Sequence, residues 1–361
     1  MANSATIDLV ALLEPLPGKA PCGIDLRQDT SPQSPYYQLK DLRSAARAAE
    51  RRAETDGDSQ ALLPEWDSIL TLCADVLATK SKDLEVLAWL IEALVRAHGF
   101  AGLRDGFNLA SGFIDQYWDN FHSLQDEEGL DTRLAPLAGL NGTLTQPLRK
   151  VPLTVHTDAG LFATYHYDQA LALSQLSDPE ARARREAAGE VTLEQFNAAA
   201  KASGGHFYTE MLDDIGGCLA HLERLSYSLD ERAGRSSPST IDIRNVITNI
   251  QDSVRQFSAD LVARATPAVS GDTGDNSAAN NSTNGATGAG SVSGREDALR
   301  ILLRVAEYFR VHEPHSPISN SLEEIVRRAR LPFAELLAEL LNDQNTWRSM
   351  MISAGIKPPA Q

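Results

Sequence analysis

The chain has 361 residues, enough for two or three domains, and its 42% hydrophobic content is that of an ordinary globular protein. A net charge of −16 disfavours nucleic acid as a partner, because binding a polyanion needs a basic surface to displace counterions. No apolar run approaches the ~20 residues that cross a bilayer. The start, MANSATIDLVALLEPL, lacks the pattern of a secretory signal. Cys22, Cys73 and Cys218 are scattered and odd in number, so a reduced, cytoplasmic setting is expected.

In chain order the pattern is helical nearly throughout, and the fold class expected is all-α. Residues 4–13 are a short apolar start, followed by a Pro/Gly-dense loop at 15–23. Residues 36–53 show helical spacing at Leu39, Leu42, Ala46 and Ala49. After the polar loop 55–60, Pro64 opens a helix with Trp66, Ile69, Leu70, Cys73 and Leu77 on one stripe. Helices are predicted over 81–98 and 103–117. In the first of them Ser81 can cap, and Asp83 lies in the first turn, where negative charge is favoured; Lys80 and Lys82 lie just outside. LRKVPLTV at 148–155 is the one credible extended stretch, and Pro152 confines it to an edge or a lone segment.

Thr192 and Gln195 form a capping box for the next helix, which Gly204 and Gly205 are expected to end. Residues 206–230 and 241–264 then read as two long amphipathic helices packed as an antiparallel pair, the second started by Ser237 and Pro238. Of the 28 residues at 267–294, 23 are Gly, Ala, Ser, Thr or Asn. Such a segment cannot offset its ordering entropy by burial and is read as a flexible linker with a reach of ~30 Å. The expected domains are therefore 1–175, a helical hairpin region 176–266, the linker 267–294, and a C-terminal helical module 295–361.

That last module carries the strongest physical argument. From Arg295 onward the sequence holds nine Lys/Arg and nine Asp/Glu, leaving 24 basic and 40 acidic residues before it. A neutral unit can pack on copies of itself without net repulsion, while an acidic body stays soluble around it. Helices are read over 295–311, 318–330, 333–342 and 344–354. So small a unit has difficulty burying a sufficient core, and the usual remedies are disulfides, a metal or self-association. It contains no Cys, and His312 with His315 are too few for a structural zinc site. Self-association is the remaining remedy. The expected contact residues are Leu299, Leu302, Leu303, Tyr308, Phe309, Trp347 and Met351, with Glu313, Pro314, His315 and Pro317 setting the angle between helices.

Chemistry-bearing patterns are sparse. The sequence contains no GxxxxGK[ST], GxSxG, HExxH or EF-hand loop. His156 and His166 flank an apolar run, and DEE at 126–128 lacks the alternating ligands and glycine of a calcium loop. No catalytic residue, cofactor or metal is expected, and the chain is read as a non-enzyme. Asp83, Trp89, Tyr117 and Trp118 are the candidates for docking a partner, since aromatic residues with polar tips serve both cores and interfaces.

Several segments resemble a known family. PCGIDL at 21–26, KSKDLEVLAWL at 80–90, GLRDGF at 102–107 and YWDNFH at 117–122 are similar to the ImpA N-terminal domain of the TssA proteins of bacterial type VI secretion. AEYFR at 306–310, EPHSPI at 313–318 and AGI at 354–356 resemble the C-terminal module of the shorter TssA class. Ser123 departs from the family, where Pro is common. The resemblance implies a cytoplasmic structural protein whose C-terminal modules form a multimeric ring and which nucleates or coordinates baseplate and contractile tube–sheath assembly. Its implied partners are itself and the baseplate, tube and sheath proteins, with no membrane insertion. A monomeric adaptor docking through its C-terminal helices, or an enzyme of unknown class, are the alternatives.

Overall fold

The computed structural model describes residues 3–55, 65–124, 129–158, 160–265, 295–312, 317–331 and 339. Among these the regular structure is helical, and the only β-type pairing is in isolated bridges. The chain divides into two compact units, Met1–Gly271 and Asp272–Gln361.

The first unit holds ten helices among its described residues: α1 (Leu9–Leu13), α2 (Pro35–Thr55), α3 (Glu65–Thr79), α4 (Leu84–Tyr117), α5 (Leu130–Thr143), α6 (Thr145–Lys150), α7 (Thr164–Ser174), α8 (Pro179–Ala187), α9 (Leu193–Ala233) and α10 (Ile241–Ala265). Helix α4 is the axis. It is apolar on nearly every face, and a helix apolar all round is a buried one. By length and composition alone it could cross a membrane, but most of its apolar stretch is buried in the body. It packs against α3 on one side and α9 on another, and α10 covers α9.

Two long helices bend at glycines. Gly99 (φ 55°) breaks α4 and Gly204 (φ 80°) breaks α9. The sequence placed a helix end at Gly204 and Gly205, whereas the chain resumes its helix at once. The reason is tertiary. A Cβ on Gly205 would stand 2.0 Å from the Leu261 carbonyl oxygen, so the bend brings α9 hard against α10. The pair runs antiparallel as predicted, with the start of the second half of α9 beside the end of α10.

Capping chemistry explains several boundaries. Thr192 and Gln195 form the expected box, with Gln195 N–H donating to Thr192 Oγ1 (3.2 Å) and Thr192 N–H to Gln195 Oε1 (2.9 Å). At α4 the cap is Asp83 rather than Ser81. Asp83 has extended dihedrals, and its carboxylate accepts from Glu85 N–H (2.9 Å) and Val86 N–H (3.1 Å). The start of α10 is held from a distance: Asn141 of α5 accepts from the Asp242 and Ile243 amides, both at 3.1 Å. The extended reading at 148–155 reduces to one antiparallel bridge, Pro152 with Ala163, where Leu153 N–H donates to Phe162 O at 2.7 Å.

The second unit shows α11 (Arg295–His312) and α12 (Ile318–Arg330) packed on each other. Leu299, Ala306 and Val326 are its buried apolar residues among those described. The predicted helices beyond 331, and the linker 267–294, lie outside the described residues.

Candidate functional site

The KSKDL segment lies where three loops meet. Lys82 N–H donates to Cys22 O (2.9 Å), Ile24 N–H to Lys80 O (3.2 Å), Leu84 N–H to His122 O (2.8 Å) and His122 N–H to Lys82 O (2.9 Å). Gly23 is required here, because at φ 72° a Cβ would lie 2.1 Å from the Lys80 carbonyl oxygen. Lys82 is fully buried; its ammonium donates to Leu12 O (2.7 Å) and Leu77 O (2.8 Å), and burial pulls its pKa down. Both partners are ends of helices, α1 and α3, where carbonyls lack intrahelical donors. Lys82 is thus a polar bolt across the knot, which the sequence reading left outside the helix without a role.

Asp83 continues the knot. Arg27 grips it with both terminal nitrogens (2.6 and 3.2 Å) and also reaches Glu85 (3.3 Å), and Tyr36 Oη donates to Glu85 (2.9 Å). Tyr36 in turn stacks on Trp89, with centroids 5.6 Å apart. Tyr117 donates its hydroxyl to Leu13 O at 2.6 Å. Of the predicted docking residues, Asp83, Trp89 and Tyr117 are therefore buried and join loops and helices of the body; Trp118 is half-buried, near the guanidinium groups of Arg133 and Arg232. At the departing position, Ser123 is buried and donates to Arg133 O (2.7 Å), a bond that Pro could not make.

A second buried charge sits midway along α4. Glu92 accepts from Arg43 (2.8 and 2.9 Å), Arg47 (2.8 Å) and Thr143 (3.2 Å). Burial alone would raise its carboxyl, but the hydrogen bonds and charges of the arginines outweigh burial and hold it below the usual range. Nothing in the spacing of a lone Glu on an apolar helix revealed this cluster.

Beside it opens a cleft of about 1230 Å³, bounded by α2, α3, the bend of α4, the end of α5, α6, the loop residues Val151, Pro152, Thr154 and Leu161, and α9. Its lining includes the largely buried Trp66, Phe100 and Met211 and the half-buried Phe207, and its charged groups mix Arg47, Arg51 and Arg96 with Glu50, Asp67, Glu210 and Asp214. The Arg96 guanidinium lies 3.9 Å over the Trp66 ring and pairs with Glu50.

The two histidines singled out in the sequence at 156 and 166 differ in setting. His156 is exposed, while His166 accepts at Nδ1 from Ala163 N–H (3.0 Å) and packs on Phe162 and Tyr165. No group of three His, Cys, Asp or Glu side chains there could hold a metal. All three cysteines are buried, and burial pushes the Cys73 and Cys218 thiols well up. The acidic run 126–128 lies outside the described residues.

In the C-terminal unit, Leu299 is buried, Leu302, Leu303 and Phe309 are half-buried, and Tyr308 and Pro317 are exposed. Glu313, Pro314, His315, Trp347 and Met351 lie outside the described residues. Apolar side chains remain uncovered on both helices: Val305 is 38% and Tyr308 57% exposed on α11, Ile318 40% and Ile325 53% on α12.

The PCGIDL and KSKDL segments that build the knot lie inside a stretch that matches a known family. Residues 13–142 match the family described as ImpA, N-terminal, type VI secretion system. The body is similar to the solved N-terminal domain, including the conserved ImpA_N region, of the TssA component from Burkholderia cenocepacia, with a TM-score of 0.60 and 27% identity, over 70% of this chain and 94% of that one. Along nearly its whole length the chain is similar to the type VI secretion system component TssA1 of Pseudomonas aeruginosa PAO1, 24% identical over 346 residues, which are 93% of this chain and 96% of the relative. The chain thus carries an ImpA N-terminal region at residues 13–142 and is similar to TssA components of type VI secretion over nearly its whole length.

Proposed function

We propose that this chain is a structural, non-enzymatic part of a cytoplasmic type VI assembly, and that it forms a multimeric ring through residues 295–361. The ring presents the acidic N-terminal bodies to baseplate, tube and sheath proteins and nucleates or coordinates their assembly. One observation carries the reading: a pair of helices with few buried apolar residues leaves Val305, Tyr308, Ile318 and Ile325 uncovered. Ile318 and Ile325 are two turns apart on one stripe, and Val305 and Tyr308 are neighbours on another. Covering such stripes with copies of themselves supplies the apolar interior that a unit of this size lacks. Leu299, Leu302, Leu303 and Phe309 would support the stripe from beneath, with Trp347, Met351 and the EPHSP turn completing the contact. Repetition around a ring multiplies weak contacts of each body by avidity.

Sedimentation velocity of the full-length protein tests this. The expected result is one large species whose mass is a fixed multiple of the chain, reduced to smaller species by Tyr308→Asp combined with Ile325→Asp. A full-length protein that stays monomeric at tens of micromolar would overturn the ring.

A further inference from the structure

We propose that α2 is an ion-latched strap, which swings off α3 and α4 while the rest of the body stays folded and so bares the face of α4 that carries Glu85, Trp89, Glu92 and Arg96. The inference stands apart from the ring and from partner docking.

The latch is a row of polar contacts. On α2 it runs Tyr36, Arg43, Arg47 and Glu50, and on α4 it runs Glu85, Trp89, Glu92 and Arg96, each set spaced by helical turns along one face. Tyr36 meets Glu85 and Trp89. Arg43 lies 5.7 Å from the centre of the Trp89 ring and bonds to Glu92, Arg47 joins it there, and Glu50 pairs with Arg96. The numbers rise together on both helices, so the two run parallel. Apolar fastening is slight by comparison. Leu39 is the one large aliphatic side chain of α2 fully buried among the described residues, and the other buried members of its stripe are Ala46 and Ala49. Side chains that small offer little area to hold a helix by. Helices α3 and α4 bury Ile69, Val76, Leu87, Leu90 and Leu94 completely, so what α2 leaves behind is still a packed core.

An ionic latch opens where a hydrophobic one would hold. Substituting one partner strands the other in the interior, but lifting the whole helix lets water reach both, and hydration offsets much of the lost attraction. Arg43 and Arg47 are already 25% and 29% exposed, so dissolved salt screens them. Local opening draws on segments with few buried apolar contacts, and α2 is such a segment. Opening turns Glu85, Trp89 and Glu92 from internal partners into surface, so ionic conditions govern whether that face exists. Two native thiols report on it. Cys73 of α3 is fully buried where α2, α3 and α4 meet, and the charges of Glu92 and Arg43 both act on its thiol. Cys218 is fully buried between α9 and α4, its Sγ donating to Phe100 O at 3.2 Å. Release of α2 uncovers the first and leaves the second closed.

The experiment is N-ethylmaleimide labelling of the native full-length protein, with each thiol followed by mass spectrometry of its peptide. Cys73 should label roughly tenfold faster than Cys218. Raising sodium chloride from about 0.05 M to about 0.5 M should speed Cys73 roughly threefold. Ile250→Val trims a buried side chain of α10, which packs on α9. It should speed Cys218 roughly fivefold through global unfolding and leave Cys73 unchanged, because the strap opens without disturbing that contact. Hydrogen exchange of residues 36–50 should follow Cys73, while that of residues 86–95 in α4 follows Cys218. Equal labelling of the two thiols, equal acceleration of both by Ile250→Val, or a Cys73 rate indifferent to salt would each overturn the strap. Sedimentation of the same protein reports the ring separately.

Discussion

The two units handle polarity in opposite ways. The N-terminal body takes charges inside: Lys82, Asp83 and Glu92 are all at most 2% exposed, and Asp83 and Glu92 are gripped by arginines while Lys82 bonds to backbone carbonyls. The C-terminal helix pair keeps its charges outside and leaves apolar residues there too. Among the described residues, the pairs of Arg310 with Glu307 and Glu323, Arg327 with Glu324 and Glu339, and Arg328 with Glu324 and Glu339 are all solvent-exposed. Exposed pairs contribute little, whereas a buried pair broken on one side leaves an uncompensated charge. The body is thus specified by a few irreplaceable polar contacts. The described helices of the small unit instead leave Val305, Tyr308, Ile318 and Ile325 at the surface.

The sharpest way to break the comparison is at Asp83. Asp83→Ala removes the cap of α4 and the two-pronged partner of Arg27, which keeps only Asp25 and Glu85, so urea unfolding of the full-length protein should show a loss of about 3–5 kcal/mol in the body. Glu92→Gln follows, at about 2–4 kcal/mol, because Arg43 and Arg47 lose their shared anion. Glu92 also gives a pH signature. Its folded pKa lies below the unfolded value of about 4.3, so its stabilisation is present above that value and is lost as pH falls through the folded one. The native protein should therefore lose stability more steeply than Glu92→Gln as pH drops below about 4.3.

How much of this contrast the sequence disclosed follows from the range of each interaction. The stripes of α3, α10 and α11, the box at Thr192 and Gln195, and the acid at the start of α4 are local, set by spacings of three and four. The knot is not local. Arg27 meets Asp83 from 56 residues away, and Asn141 meets α10 from 101. A lysine beside a helix start reads as a solvated flank until the carbonyl ends of α1 and α3 are brought to it. The cleft was wholly hidden, since its walls come from six helices and the 151–161 loop. The exposure of Tyr308 and Ile325 was hidden too, because a helical stripe looks the same whether its own chain or a neighbour covers it.

A smaller effect is expected at His166. Burial lowers its pKa, and its Nδ1 must be unprotonated to accept from Ala163 N–H. The folded pKa lies below the unfolded value of about 6.5, so the cap is fully present above pH 6.5 and is lost as pH falls through the folded value. His166→Gln keeps an acceptor at the same helix position without titrating. Thermal unfolding should coincide for the two proteins at pH 7.5 and favour the variant by about 1 kcal/mol near pH 5.

The smallest change in folding stability, and the one that most sharpens the contrast, is at Ile325. The side chain is 53% exposed on α12, so Ile325→Asp removes little buried area within the unit itself. If nothing covers it, chemical unfolding should shift by no more than about 0.5 kcal/mol, as for ordinary surface substitutions. If copies cover it, a carboxylate is placed in an apolar contact, and the assembly pays the desolvation of that charge once per subunit. Unfolding of the N-terminal body, followed by the fluorescence of Trp66 and Trp89, should then stay where it is while the sedimentation coefficient falls. A matched control, Arg327→Ala, removes an exposed ion pair and should change neither reading. Equal responses to the two substitutions would mean that the uncovered stripe on α12 is ordinary surface, and the difference between the two units would then be one of size alone.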